Sequence, residues 1–354
     1  MPVWACLDAL VEHAPKLQDL HVQTTLTPAC LSTIPRMSNL QCLSLLCKGL
    51  RDVRFLHALH VLKHLKKLVI SFEDSATFVI SSLPKASTAQ ALPALIELNV
   101  SVPPQQISPL LSIFKEHSLR RLEIRTPPKR SILEGPPQPD PIPDPEMWAK
   151  ALQDIPIRFP YLTHMTVGFQ RDRMDMTAPG LFPLFEPLLD LRELENVNLD
   201  FPWLFFTDDD FKKIALAWPE LCTLRLAGSV GTPIATVTAL QSFAIHCPKL
   251  HGISLQFDAR QLPPTTIEDA PISFSKVKLL DTQDSPVDSA LSVARHIDRI
   301  FPSIKTIQSS RQGELWGEVG DLIRVLKAVR MDQKARDHAL MKRVRSTRRA
   351  GPLD

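Results

Sequence analysis

The sequence predicts an α/β solenoid, with parallel strands lining a concave inner face and helices covering the convex outside. Three observations predict it. The phrase apolar-x-x-apolar-x-apolar recurs eleven times, as in Leu250-His251-Gly252-Ile253-Ser254-Leu255. Amphipathic helical patterns separate the copies. A proline often stands between helix and strand, in Phe159-Pro160, Trp218-Pro219, Cys247-Pro248 and Phe301-Pro302. Proline disfavours helix for the residue before it and lacks an amide donor, so it ends the helix and turns the chain into the next strand. Strands joined through helices run parallel, and a right-handed crossover repeated without reversal winds a solenoid.

The first apolar residues of the copies are Leu17, Leu40, Leu65, Leu95, Leu119, Leu162, Leu194, Leu221, Leu250, Val277 and Ile304. Their spacings are 23, 25, 30, 24, 43, 32, 27, 29, 27 and 27 residues. Most lie near the period of leucine-rich repeats. Within each strand the pattern alternates with period two, apolar toward the helices and polar or small toward the inside. A strand buried on both faces would be apolar throughout, so this sheet keeps one face in water. The residues expected on that face, and offered as the partner-binding set, are Asp19, His21, Lys67, Glu97, Asn99, Arg121, Glu123, Arg125, His164, Asn196, Asn198, Asp200, Arg225, Ser254, Gln256 and Gln308.

The helices follow from apolar spacing. Val3, Trp4, Leu7, Leu10 and Val11 mark the helix of the first repeat. Phe55, Leu56, Leu59, Leu62 and Leu65 mark another, as do Leu110, Leu111, Ile113 and Phe114. Phe211, Ile214, Leu216 and Trp218 follow Thr207, a residue suited to cap a helix start, and Asp208-Asp209-Asp210, which favour the positive end of its dipole. Ala235–Ile245 and Val287–Ile300 carry two more. Two places break the rhythm: 71–91, rich in Ser and Thr, and a proline-rich insertion loop near 127–145 that includes Pro136 and Pro139. The solenoid is expected to span 1–313, with 314–354 forming a capping helix, carried by Leu315, Trp316, Val319, Leu322, Ile323 and Leu326, and a basic tail. From Arg324 to Arg349 ten Lys or Arg face Asp332 and Asp337.

Composition excludes more than it assigns. Lys+Arg 41 against Asp+Glu 38 gives +3, which calls for neither nucleic acid nor a membrane surface. Gly 11 against Pro 32 inverts ordinary usage, because proline punctuates the repeat and fills one loop. Cys6, Cys30, Cys42, Cys47, Cys222 and Cys247 form no Cys-x-x-Cys pair and read as reduced, mostly buried thiols of a cytoplasmic or nuclear protein. No signal peptide or membrane-length apolar run is present. His60 and His64 have zinc-ligand spacing, but His60-Val61-Leu62-Lys63-His64 lacks the glutamate of a metalloprotease helix. No phosphate loop or nucleophile elbow occurs. The expectation is therefore no enzyme, with no catalytic residue, cofactor or metal.

The unit ending in Cys247-Pro248-Lys249-Leu250, with Trp218-Pro219-Glu220-Leu221 and Phe301-Pro302-Ser303-Ile304 as variants, resembles the Cys-Pro-x-Leu repeats of F-box/leucine-rich-repeat proteins, in the style of the large fungal (basidiomycete) families. The resemblance runs from about Leu7 to Ile307 and covers the repeats alone, since the residues before Leu17 read as the first repeat's helix and no F-box is visible. It implies a substrate-recognition scaffold of a cullin–RING (SCF-type) ubiquitin ligase. A protein substrate would sit on the concave face, and the Skp adaptor would bind only if an F-box exists upstream. An alternative reading is a nucleic-acid- or chromatin-associated scaffold that uses the basic C-terminal segment.

Overall fold

A computed structural model describes residues 2–24, 26, 28–47, 55–72, 92–114, 118–126, 145–168, 182–201, 205–227, 233–262, 274–309 and 313–349. Its strands are β1 (Asp19–Val22), β2 (Cys42–Cys47), β3 (Lys67–Phe72), β4 (Glu97–Ser101), β5 (Arg121–Arg125), β6 (His164–Gly168), β7 (Asn196–Asp200), β8 (Thr223–Ala227), β9 (Gly252–Ser254), β10 (Leu279–Asp281) and β11 (Thr306–Gln308). They form one sheet in sequence order, every neighbouring pair parallel. Each strand begins two residues after the first apolar residue of its repeat, so all eleven sequence repeats become strands of an α/β leucine-rich-repeat solenoid. Strands repeat about every 4.8 Å whereas helices need about 10 Å, so the sheet lies on the inside of the bend.

The joint between helix and strand recurs with the same hydrogen bonds at four proline sites. At Phe159, Trp218, Cys247 and Phe301 the amide donates to the carbonyl four residues back, and the amide three residues on donates to the joint residue's own carbonyl. Their side chains are buried. At Met37, Leu62 and Leu191, where no proline follows, the amide three residues on donates in the same way, but the joint amide itself donates three residues back. The joint ψ stays between 68° and 77° in Trp218, Cys247 and Phe301 and between 70° and 76° in the proline-free cases. Proline therefore favours a turn that repeat packing imposes anyway.

The outer layer contains α1 (Val3–His13), α2 (Pro28–Thr33), α3 (Phe55–Ala58), α4 (Pro104–Leu111), α5 (Pro145–Arg158), α6 (Asp208–Ala217), α7 (Thr238–His246), α8 (Ala290–Ile300) and α9 (Gly313–Arg349). Between sheet and helices runs a single apolar core from Leu7 to Ile323. Two of the three aspartates that open α6 have structural tasks. Thr207 and Asp210 cap each other's backbone, and Asp208 accepts from the amide and hydroxyl of Thr236, tying α6 to the next repeat.

Three expectations shift, and one lies where the structure describes nothing. The helix expected over Phe55–Leu65 is one turn, α3, followed by a tighter turn over Leu59–Val61, because Leu62 must take the joint position and the helix has to stop before it. The proline-rich stretch gives way to α5 at Pro145, which suits a first helical turn. Residues 73–91 and 127–144 of the two rhythm breaks lie outside the described residues. The capping helix runs far past Leu326 to Arg349, carrying the basic segment as helix. Trp316, Val319 and Ile323 of α9 continue the core, the Trp316 indole donates to the Ser285 carbonyl at 2.8 Å, and Arg330 pairs with Asp298 of α8. No helix among the described residues is long and apolar enough to cross a membrane.

Two substitutions test the joint. Trp218→Ala removes a buried indole that also donates to the Leu188 carbonyl, and should lower unfolding free energy in urea by about 3–5 kcal/mol. Pro219→Ala leaves the hydrogen bonds of the turn intact and should cost under about 1 kcal/mol. Equal losses would show that proline, not packing, sets the turn.

Candidate functional site

The register stacks the inward side chains into rows. One row holds Asp19, Cys42, Lys67, Glu97, Arg121, His164, Asn196, Thr223, Gly252, Leu279 and Thr306. The next holds His21, Ser44, Val69, Asn99, Glu123, Thr166, Asn198, Arg225, Ser254, Asp281 and Gln308. Arg125 and Asp200 lie in a third, shorter row. The structure thus places fifteen of the sixteen sequence-selected residues on one face.

Gln256 lies beyond the end of β9 at Ser254, where the next buried residue, Phe257, donates its amide to the Ser285 hydroxyl at 2.9 Å. Ser254 lies on the face but is only 8% exposed. Its hydroxyl donates to Asp281 at 2.8 Å and accepts from the Gln283 side chain at 3.1 Å. It shapes the floor rather than presenting a free group.

The two halves of the face differ in chemistry. Over β3–β5 four of the five charged inward side chains satisfy one another, and Arg121 makes no such pair among the described residues. Lys67 pairs with Glu97 at 2.7 Å, Arg125 with Glu123 at 2.5 Å, and Asn99 donates to Glu123 at 2.6 Å. The hydrogen bond and charge of Glu97 raise the Lys67 ammonium's pKa. Exposed pairs like these contribute little stability and hold side chains in register.

Over β6–β11 the face is mostly uncharged and hollowed. A trough of about 330 Å³ crosses these strands, lined by Thr166, Asn196, Asn198, Arg225, Gly252 and Asp281 among others. Its upper row is a directed hydrogen-bond ladder. The Thr163 hydroxyl donates to the Arg120 carbonyl, so its oxygen accepts from Nδ1–H of His164 at 2.9 Å. His164 Nε2 then accepts from the Asn196 amide at 2.9 Å, and Asn196 Oδ1 accepts from the Thr223 hydroxyl at 2.5 Å. This pattern requires a neutral ring, and burial followed by the nearby Arg121 charge does lower the His164 pKa. Asp200 is exposed at the trough's margin, yet crowding by the walls raises its carboxyl pKa against the pull of Arg225 and Arg125.

Sequence reasoning placed Gly252 on this face but missed Thr166, Thr223 and Asp281. The signal was available: each occupies the same repeat position as a residue selected from another strand. Glycine at 252 is not forced by sterics. A Cβ there would meet the Thr223 methyl at 3.8 Å, an ordinary contact, so the missing side chain serves to open the trough.

Elsewhere the thiols are quiet. Burial pushes Cys47 and Cys247 up to about 12, and Cys247 donates weakly to the Ala215 and Trp218 carbonyls. His60 and His64 are exposed, and among the described residues no three His, Cys, Asp or Glu side chains gather into a metal-holding group.

The histidines make stability depend on pH in one direction. Burial lowers the pKa of His164 and of His296, the latter next to Arg299, below the ordinary 6.5. The unfolded chain therefore binds more protons just below pH 6.5, so stability is full above that value and falls as pH drops through the folded pKa values. Urea unfolding at about pH 7.5 and about pH 5 should show this loss, and a His164→Gln/His296→Gln double variant should show much less of it. An unchanged loss would place the acid sensitivity elsewhere.

No protein-family model matches the chain, and no curated protein does. Among solved structures the chain is similar to one in the crystal structure of the Rad7 and Elc1 complex in yeast, at 14% sequence identity and a TM-score of 0.45, over 87% of this chain and 75% of that one.

Proposed function

We propose that this protein is a non-enzymatic scaffold that binds a protein partner on its concave face, as the substrate-recognition part of a cullin–RING ubiquitin ligase of the F-box/leucine-rich-repeat kind. The observation that carries the reading is the face itself: eleven parallel strands hold polar side chains in fixed rows, with a hollow over the last six. Such a surface offers many ordered groups at low entropic cost on binding. The His164–Asn196–Thr223 ladder supports recognition over proton transfer, since both ring nitrogens of His164 are already engaged.

The Cys-Pro-x-Leu repeats support the ligase assignment by resemblance alone. The Skp adaptor enters the proposal only with an F-box encoded upstream. Affinity purification of the full gene product with mass spectrometry tests both levels. Recovery of Skp and cullin together with a substrate supports the ligase; a stable partner without them keeps the scaffold and removes the ligase.

A second reading has its own observation. From Met331 to Lys342 every residue of α9 is exposed, and the segment adds Lys334, Arg336 and Lys342 to a helix that continues into more basic sequence. This supports contact with a nucleic acid through the helix end. The chain truncated after Arg330, which keeps the Asp298 pair, should then lose salt-sensitive binding to duplex DNA or RNA. Equal binding by both chains would exclude it.

A further inference from the structure

Three features of the trough remain unexplained by the fold. The side-chain oxygen of Asn198 is buried on its floor and has no hydrogen-bond partner among the described residues. Arg225 stands beside it in register on the next strand, exposed. Its guanidinium forms no ion pair or hydrogen bond among the described residues, although Asp200 feels its charge. Gly252, one strand further, leaves out a side chain for which there is room. A buried acceptor without a donor carries an uncompensated desolvation cost, which a ligand's donor recovers.

We infer that this trough binds an extended protein segment through an uncharged amide. The amide N–H would donate to Asn198 Oδ1, its carbonyl would accept from Arg225, and the adjoining chain would lie in the space over Gly252. The two protein groups come from adjacent strands, about 4.8 Å apart, a separation that one amide and its hydrogen bonds span. A carboxylate would also satisfy Arg225. It would, however, bring negative charge toward Asp281 and Asp200, and it would meet the Asn198 oxygen with no donor to offer. A cation would face Arg225. The amide alone supplies donor and acceptor without net charge. The trough's volume of about 330 Å³ is at the small end of ligand sites and suits a few residues of a chain rather than a folded surface. This inference rests on the scaffold reading above and specifies what that scaffold recognises.

A random-peptide phage library panned against the full chain provides the probe. Peptides selected on the wild type should lose binding at least about tenfold with each of Arg225→Ala, Asn198→Leu and Gly252→Leu. They should keep it within about twofold with Lys67→Ala, in the ion-paired half. Gly252→Ala, whose added methyl makes an ordinary contact, should retain the wild-type melting temperature and shows whether the backbone tolerates a side chain there. Synthetic versions separate the two sources of the amide. Loss on single backbone N-methylation assigns it to the main chain, and loss on Asn→Asp or Gln→Glu exchange assigns it to a side chain. Selected peptides that bind all three trough variants as well as wild type overturn the inference and leave the scaffold reading standing. Peptides that require a carboxylate also overturn it. Failure to select any peptide overturns it too, and only if the purification also finds no partner does the scaffold reading fall with it.

Discussion

Every repeat depends on one backbone carbonyl. The residue just before each strand presents its oxygen to two amides of the following repeat, those just before and at the start of the next strand. Gln18 receives Gln41 and Cys42, Glu195 receives Cys222 and Thr223, and Lys278 receives Lys305 and Thr306, with the intervening repeats alike. The two donations fix both the position and the direction of the incoming strand. Once they are made, the register of the strand follows, and with it which side chains face water. In six repeats the joint residue then turns out of its helix with ψ between 68° and 77°, with or without proline. Helix lengths are the free variable, from the single turn of α3 to the fourteen residues of α5.

The repeat was legible because burial alternates along most strands, and a period of two cannot shift by one residue without turning leucines into water. Leu250, Ile253 and Leu255 were readable as core for that reason, and all three are buried. The trough was less legible. Its shape comes from what is absent at Gly252 and from hydrogen bonds between residues about thirty positions apart, such as Asn196 with His164. The end of β9 at Ser254 was not legible, because pattern alone cannot show where a strand stops. The length of α9 was hidden for a different reason. A block of like charge suggests a solvated tail, yet Arg, Lys, Ala and Met are good helix formers, and the anchored first turns remove the nucleation cost for the rest.

The concave face divides by how fully its polar groups satisfy one another. Over β3–β5, ion pairs hold Lys67, Glu97, Glu123 and Arg125. Over β6–β11, one row forms a closed ladder while the row beneath it keeps an unmet acceptor and an uncommitted cation. A protein tolerates an unmet buried group at a cost, and such costs concentrate where a partner relieves them. The ladder above the trough also restricts motion, since Asn196 is held on both sides and keeps the wall in place before any partner arrives.

The empty position at residue 252 has a consequence for how such a face changes over time. The inward side chains occupy a lattice, indexed by strand in one direction and by row in the other. A cavity in that lattice is made by one small residue at one address, and the backbone beneath it is the same at every address. Exchanging glycine for a larger residue at 252, and a larger residue for glycine on a neighbouring strand, would slide the cavity sideways by one strand without touching the core or the carbonyl ladder. Specificity in this fold can therefore wander by point substitution while the structure that presents it stays still.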